Sequence, residues 1–333
     1  MSKRFIYLVY YLKHLDLKIF YKFLDFSSST SKKSKTLLVI DCLKSVFKYN
    51  VSILEYFQFH FYNKTHLERK KWAGTGFMYE AILKLNPRSS RSLLSDKVKF
   101  ASHYATFLKH KSYNIEEWLD MAKKRGKIGG MWVLKPIDGQ CGLGILKVNA
   151  SKKSIAEIKK IAKVTKNGII EPYLDQHKAL QKLSPSGLNT LRIITQINHH
   201  RGVDILGIRL RITINSFIDN LAAGNMAVPV DNDTGEVVGR GVYSDMTKEP
   251  ATYHPVTGEK LIGFQVPYFK EAVELAKNAA LFDTRNTSIG WDIAILKDGP
   301  DIIEGNHNWC KLLWQLPVQK GLKKELNKYL SFV

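Results

Sequence analysis

Apolar positions in this chain follow two periods, and the change from one to the other marks its organisation. From Phe5 to Leu24, Leu37 to Tyr49, Leu67 to Leu85 and Asp96 to Lys109, apolar residues recur every three or four positions and predict helices. Asn86-Pro87-Arg88-Ser89-Ser90 breaks the third from the fourth, and the run from Ser27 to Ser34 reads as a polar linker. Beyond residue 130, short apolar runs bounded by Gly, Pro, Asn and Asp predict strands: 131–136, 145–148, 168–174, 188–197, 203–212 and the two arms of 289–306. Helical spacing returns over Ser151–Lys163, Pro267–Ala280 and Val318–Leu330. Asp231–Gly235 and Pro255–Gly258 read as turns; Asp231 and Asp233 lack the remainder of a calcium loop and fit a hairpin tip. This order predicts an α/β (α+β) fold preceded by a helical region.

Charge changes the picture of the first third. Lys and Arg number 51 against 30 Asp and Glu, and residues 1–130 hold 25 basic and 10 acidic residues. That region would meet something anionic: a membrane surface, a nucleic acid or an acidic polymer. The aromatic and aliphatic residues of 5–24, interleaved with Lys13, Lys18 and Lys22, suit a helix at a membrane interface and equally one packed on the rest of the protein. Glu68–Lys71 reads as a solvated helix face, and His60 and His66 have no companions at ligand spacing. Cys42, Cys141 and Cys310 are too scattered for a metal site or a disulfide framework and fit a reducing compartment. No apolar run reaches the length of a membrane span. The opening residues resemble a signal peptide without a small-residue cleavage site, so the expectation is a cytoplasmic protein, with peripheral contact at the cytoplasmic face of an anionic membrane left open.

Two hairpins carry the candidate chemistry. Folding 289–306 about Lys297-Asp298-Gly299-Pro300 sets Asp292 opposite or nearly opposite Glu304, with Asn306 two residues on along the same face. Facing carboxylates destabilise a ladder unless a cation lies between them, and an oxygen-only donor set suits Mg²⁺. A one-residue slip of register would instead turn the two to opposite faces. Folding 188–212 between His200 and Arg201 sets Arg192 opposite Arg209, with Arg211 one pleat away. Facing guanidiniums call for an anion such as phosphate or carboxylate. Mg–ATP would supply both ions.

The middle of the chain offers further phosphate-binding features. Lys135 closes a strand, and Gly139, Gly142 and Gly144 lie in a loop that can bring backbone N–H groups to an anion. No Gly-Lys-Ser/Thr follows, so it is not a Walker A loop, and the next element is a strand, so it is not a Rossmann turn. The strand Glu171-Pro172-Tyr173-Leu174 can present backbone to an adenine edge, with Asp175 and His177 in reach of the ribose. It reads equally as an ordinary core strand.

Asp96-Lys97, Lys135-Pro136 with the glycine loop, the strand at Glu171–Leu174, Asn189-Thr190-Leu191-Arg192, Gly290-Trp291-Asp292 and Ile303-Glu304-Gly305-Asn306, in that order, resemble an ATP-grasp enzyme. Asn189–Arg192, Ile218-Asp219-Asn220 with Ala223-Gly224, and Ile303–Asn306 narrow the resemblance to the sugar-transfer-associated ATP-grasp family, related to α-L-glutamate ligases, over roughly residues 90–330. The resemblance implies two α+β subdomains gripping ATP: a flap at about 130–175 and a catalytic part at about 176–333 within a domain spanning 91–333, after a basic helical region at 1–90. It also implies that Lys97 and Lys135 hold the phosphates under the Gly139–Gly144 flap and that the backbone at 171–174 reads adenine. Arg192 with Arg209 or Arg211 would face the transferring phosphoryl group, and Asn189, Thr190, Asp219, Asn220 and Gly224 the acceptor. Asp292, Glu304 and Asn306 would carry Mg²⁺. Gly224-Asn225 departs from the family's Gly-Gly, and His307-Asn308 receives no role.

The expected reaction is ATP-dependent carboxylate–amine ligation through an acyl phosphate. Its small-molecule substrates would be a sugar, a uronic acid or a cell-envelope or capsular polysaccharide precursor, with an amino acid as the added group. A kinase acting on a sugar hydroxyl is the alternative on the same fold. A non-enzymatic membrane- or nucleic-acid-binding protein is the alternative outside it.

Overall fold

A computed structural model describes residues 3–126, 128–137 and 144–331. Among the described residues nine strands form two antiparallel sheets. The smaller contains β1 (Tyr113–Asn114), β2 (Met131–Lys135), β3 (Leu146–Asn149) and β4 (Ile169–Pro172) in the order β1-β4-β2-β3. Helices Ile115–Arg125 and Ile155–Thr165 cover one face, where Trp118, Leu119, Ile158 and Ala162 meet Leu134, Val148 and Ile170. Alternation along β2 and β4 therefore sends Lys135 and Glu171 to the opposite face.

The larger sheet contains β5 (Thr190–Ile197), β6 (Val203–Ile212), β7 (Met226–Val230), β8 (Ser288–Leu296) and β9 (Gly299–Asn306) in the order β7-β6-β5-β8-β9. Leu191, Ile193, Ile208, Leu210, Trp291 and Ile293 fill one face and pack on the apolar stripe of helix Phe269–Phe282, which buries Ala272, Val273, Ala276 and Ala279. Thr190, Arg192, Arg209, Arg211 and Asp292 are among the intervening positions of the same strands, which form the other face.

Both hairpins fold in the register expected. Arg192 pairs with Arg209, Thr190 with Arg211 and Asp292 with Glu304, with a register shift between Asp292 and Ile293. Strand β7 was not expected; it adds to the edge of β6 by pairing Val228 with Leu210.

The helical third differs from expectation in its breaks. The helix expected over 5–24 is two, Lys3–Lys13 and Leu17–Ser31, because Asp16 takes an extended conformation and caps the second by accepting from the Ile19 amide at 3.1 Å. The expected linker is helical as far as Ser31: the Thr30 and Ser31 hydroxyls donate to the carbonyls four residues back at 2.8 and 2.6 Å, and Ser27 is buried. The pattern over 67–85 splits into His66–Lys70 and Thr75–Leu85, since a Cβ at Gly74 would collide with the Asn50 carbonyl and Val51. The helix expected over 96–109 ends at His103, and the C-terminal one shortens to Lys323–Asn327 behind a separate helix Lys311–Gln315.

These helices are not an appendage. Glu55, wholly buried, accepts from the Ser52 amide at 2.7 Å and the Thr75 amide at 2.9 Å and pairs with Lys311 at 3.0 Å. Residues of helix Thr75–Leu85 pack with Ile194, Trp309 and Trp314 against the larger sheet. No helix among the described residues is long and apolar enough to cross a membrane.

Candidate active site

The polar face of the larger sheet gathers Thr190, Arg192, Arg209, Arg211, Asp292, Glu304 and Asn306, brought together by the register across β6, β5, β8 and β9. Because β8 lies directly beside β5, Arg192 also sits opposite Asp292. Its guanidinium grips that carboxylate at two points, Nε to Oδ1 at 2.5 Å and Nη2 to Oδ2 at 2.8 Å. Arg211 reaches the same Asp292 Oδ2 at 3.0 Å and Asp219 at 2.9 Å, and donates to the Thr190 hydroxyl at 2.9 and 2.8 Å. Thr190 in turn donates to Asp219.

This corrects the electrostatic argument drawn from the sequence. Each hairpin alone presents like charges, but the basic hairpin abuts the acidic one, so Arg192 and Asp292 neutralise each other across β5 and β8. Arg209 does not join them. It faces Arg192 in the ladder, but its guanidinium donates to the Trp314 carbonyl at 2.6 and 3.1 Å and the Ile208 carbonyl at 2.7 Å. Burial without a carboxylate lowers its pKa to about 10.

Two guanidiniums, Arg192 and Arg211, lie among three carboxyl groups: they grip Asp219 and Asp292 directly and act on Glu304 only through their charge. Burial opposes the charge on Asp292, but Arg192 and Arg211 outweigh it and hold the carboxyl at about 2. Burial raises Asp219, an effect that Arg211 only partly offsets. Glu304 is also raised, by burial and then by the negative charge of Asp292. If all three were ionised, three carboxylates would face two guanidiniums, an arrangement that a bound cation would favour. Asn306 stands beside them, its Nδ2 at 3.2 Å from Glu304 and 3.5 Å from Asp292. Turning the amide over would present its oxygen instead. Among the described residues no three His, Cys, Asp or Glu side chains stand at ligating spacing. Two carboxylates and an amide oxygen nonetheless fit Mg²⁺, which draws few ligands from protein and the rest from water and phosphate.

On the smaller sheet, Lys135 pairs with Glu171, which also accepts from the Ser112 hydroxyl at 2.6 Å and lies 3.9 Å from His110. Burial pushes the Glu171 carboxyl up, but Lys135 and His110 bring it below its ordinary range. His110 bonds through Nδ1 to Asp301 of β9 at 2.7 Å, so a chain of polar contacts through buried Asp301, His110 and Glu171 runs from the larger sheet to the lysine of the smaller one. The sequence reading missed His110 and Asp301. A carboxylate in the apolar run 300–303 was the available signal, but its partner lies 191 residues away. Lys97 opens helix Lys97–His103, which Asp96 caps, and its amide donates to the carbonyl of Ile137 just beyond β2 at 3.4 Å. Gly144 takes φ +76 and its carbonyl accepts from Asn167 at 3.0 Å; Gly139 and Gly142 lie outside the described residues.

The strand expected to read adenine continues past Pro172, the Tyr173 amide donating to the Met131 carbonyl at 2.9 Å. Leu174 is half-buried and Asp175 exposed; His177 starts helix Lys178–Leu183, its ring accepting from Ala179 at 3.2 Å. Gln176 between them is buried and bonded to Asn189 at 2.8 Å. Of the residues expected at the acceptor, only Thr190 and Asp219 join the charged cluster. Asn189 accepts from the Thr213 amide at 2.9 Å, Asn220 from the Ala222 amide at 3.1 Å, and Gly224 closes that short turn at φ +88. The Asn225 departure has a structural reason: its buried side chain accepts from Ile214 at 2.7 Å and donates to the Ile218 and Asn220 carbonyls at 2.5 and 3.0 Å, tying the loop that carries Asp219. His307 is half-buried, and burial lowers its pKa.

A family model described as sugar-transfer associated ATP-grasp matches residues 77–330. No curated protein sequence matches the chain. Solved structures with a similar fold include a biotin carboxylase from Campylobacter jejuni (12% identity, TM-score 0.46, covering 72% of this chain and 46% of that one). An L-amino acid ligase from Bacillus licheniformis matches at 14% identity and TM-score 0.42, over 72% and 48% of the two chains. A D-alanine-D-alanine ligase from Helicobacter pylori matches at 13% and 0.42, over 74% and 61%. The chain spans about half the length of the first two.

Proposed function

The chain belongs to the sugar-transfer associated ATP-grasp family, and from that premise we propose that it is an ATP-dependent carboxylate–amine ligase whose phosphoryl-transfer centre is the charged face of the larger sheet. The observation that carries the reading is the cluster in which Arg192 and Arg211 grip the buried carboxyls of Asp219 and Asp292, with Glu304 half-buried beside Asp292 in the ladder.

In this reading the smaller sheet with its two helices is the flap, and the larger sheet is the catalytic subdomain. Lys135 leaves Glu171 to meet the ATP phosphates, with Lys97 beside it. Arg211 and Arg192, already fixed by Asp292 and Asp219, present donors to the phosphoryl oxygens, so little reorganisation is needed as charge spreads. Asp292, Glu304 and Asn306 would hold Mg²⁺, which when bound neutralises phosphate charge. A substrate carboxylate oxygen bonds to the γ-phosphorus as the bond to the ADP oxygen breaks. An amine then attacks the acyl carbon, inorganic phosphate departs, and the amine's proton is released. Thr190 and Asp219 border this space and would orient the acceptor. The family's description, sugar-transfer associated, supports a sugar as one partner; an envelope-glycan precursor and an amino acid as the pair joined are part of the proposal.

The test is ADP release from Mg–ATP across uronic acids and amino sugars paired with amino acids. The reading requires release that depends on both a carboxylate and an amine. ADP formed with a hydroxyl acceptor and no amine would make the protein a kinase.

A further inference from the structure

A surface helix normally turns its apolar residues to the core and its polar ones to water. Helices Lys3–Lys13 and Lys35–Tyr49 pack on each other and carry apolar residues on their outer sides as well as their inner ones. Inward, Tyr7, Leu8, Tyr11, Leu38, Cys42 and Val46 join a core with Phe57, Phe61 and Trp72. Outward, Phe5, Ile6, Val9, Tyr10 and Leu12 on the first, and Leu37, Ile40, Leu43 and Phe47 on the second, are 39–62% exposed. Twelve of the 23 exposed large hydrophobic residues among those described fall within the first 50 positions, so this is a patch and not ordinary surface scatter.

The charge around the patch has one sign. Residues 1–50 hold ten basic and three acidic side chains, and all three acids are engaged. Asp16 caps a helix, Asp25 pairs with Lys35 at 2.6 Å, and Asp41 is gripped by Arg69 at 2.7 and 2.8 Å. Lys3, Lys13, Lys18, Lys44 and Lys48 are exposed among the apolar residues.

We propose that this face docks on the surface of an anionic lipid bilayer, its aliphatic and aromatic side chains entering the headgroup boundary while the lysines meet lipid phosphate and carboxylate. A second copy of the chain fits less well, because it would press two strongly basic faces together. Nucleic acid would satisfy the lysines but leave Ile6, Val9, Leu12, Leu37 and Ile40 without a partner. The helices lie on the membrane and do not cross it: neither approaches spanning length. Docking is independent of the proposed ligase chemistry, so either can fail alone.

The experiment is co-sedimentation of the full chain with mixed phosphatidylcholine–phosphatidylserine vesicles and with phosphatidylcholine vesicles alone. Binding should favour the anionic vesicles and weaken as salt rises. Ile6→Ser/Val9→Ser/Ile40→Ser, and separately Lys13→Glu/Lys44→Glu, should each lower partitioning on the order of tenfold. The thermal unfolding midpoint should hold, since all five positions are exposed. Should the serine variant unfold, the lysine variant and the salt dependence carry the test. Absence of binding to anionic vesicles would overturn the proposal. So would sedimentation-velocity dimers in lipid-free buffer that dissociate on the serine substitutions, or salt-sensitive RNA binding indifferent to those substitutions with no vesicle binding.

Discussion

Arg192 and Asp292 meet across β5 and β8 through two parallel contacts of 2.5 and 2.8 Å, joining a hairpin of basic residues to one of acidic residues. Both side chains are almost fully buried. The pair therefore serves the fold as well as the proposed chemistry, and substitutions in the cluster should separate the two.

Asp292→Asn removes the charge that holds both Arg192 and Arg211. Breaking a buried pair by losing one partner costs about 3–5 kcal/mol. The unfolding midpoint should drop and ATP turnover should vanish. Glu304→Gln removes a carboxylate that no guanidinium grips directly, so its midpoint should stay near wild type while turnover is lost. Denaturation curves beside ADP assays read both; equal loss of stability in the two variants would contradict this division.

Arg209→Met should behave as a folding mutation. Its guanidinium serves the Trp314 and Ile208 carbonyls, and leaving buried carbonyls unpaired costs about 1–3 kcal/mol. Arg211→Met, in contrast, should abolish turnover. The comparison is kcat against unfolding midpoint for the two variants, and a collapse of kcat in a stable Arg209→Met protein would return that arginine to the chemistry.

Lys135→Met should weaken nucleotide binding roughly tenfold or more, as expected for losing one charge-assisted hydrogen bond of about 1.5–3 kcal/mol. Titration calorimetry with Mg–ADP measures it directly. Unchanged affinity would remove Lys135 from the phosphate site.

Acid should loosen the join between the helical third and the rest. Burial opposes ionisation of Glu55, but Lys311 and the amides of Ser52 and Thr75 outweigh it and bring the carboxyl below its ordinary 4.5. A carboxyl lowered in the folded state adds stability above its unfolded pKa and loses it as pH falls through the folded one. Wild type should therefore exceed Glu55→Gln in unfolding midpoint at neutral pH, and the gap should close progressively below about pH 4.5. Parallel curves down the acid range would contradict it.

The sequence made the hairpins legible because their information is local. The Asp298-Gly299 turn and alternating apolar residues set Asp292 opposite Glu304, and the turn at His200–Arg201 set Arg192 opposite Arg209. Which hairpin lies beside which is not local, so the mutual neutralisation across β5 and β8 could not be read. For the same reason the link from Asp301 through His110 to Glu171 stayed hidden. The resemblance placed Asn189 at the acceptor, and its side-chain amide bonds the Thr213 amide and Gln176, contacts that also lie far from it in the chain. Helix breaks at Asp16 and Gly74 were invisible to periodicity because a cap and a close backbone approach, not a change of apolar spacing, produce them.

The most direct measurement follows a heavy-oxygen label from the substrate carboxylate. With Mg–ATP, an amine and a labelled acid drawn from the uronic acids and amino acids, an acyl-phosphate route delivers one labelled oxygen to inorganic phosphate, only when both substrates are present and not with Asp292→Asn. Unlabelled phosphate, or ADP formed alongside a phosphorylated hydroxyl, would contradict ligation at this cluster.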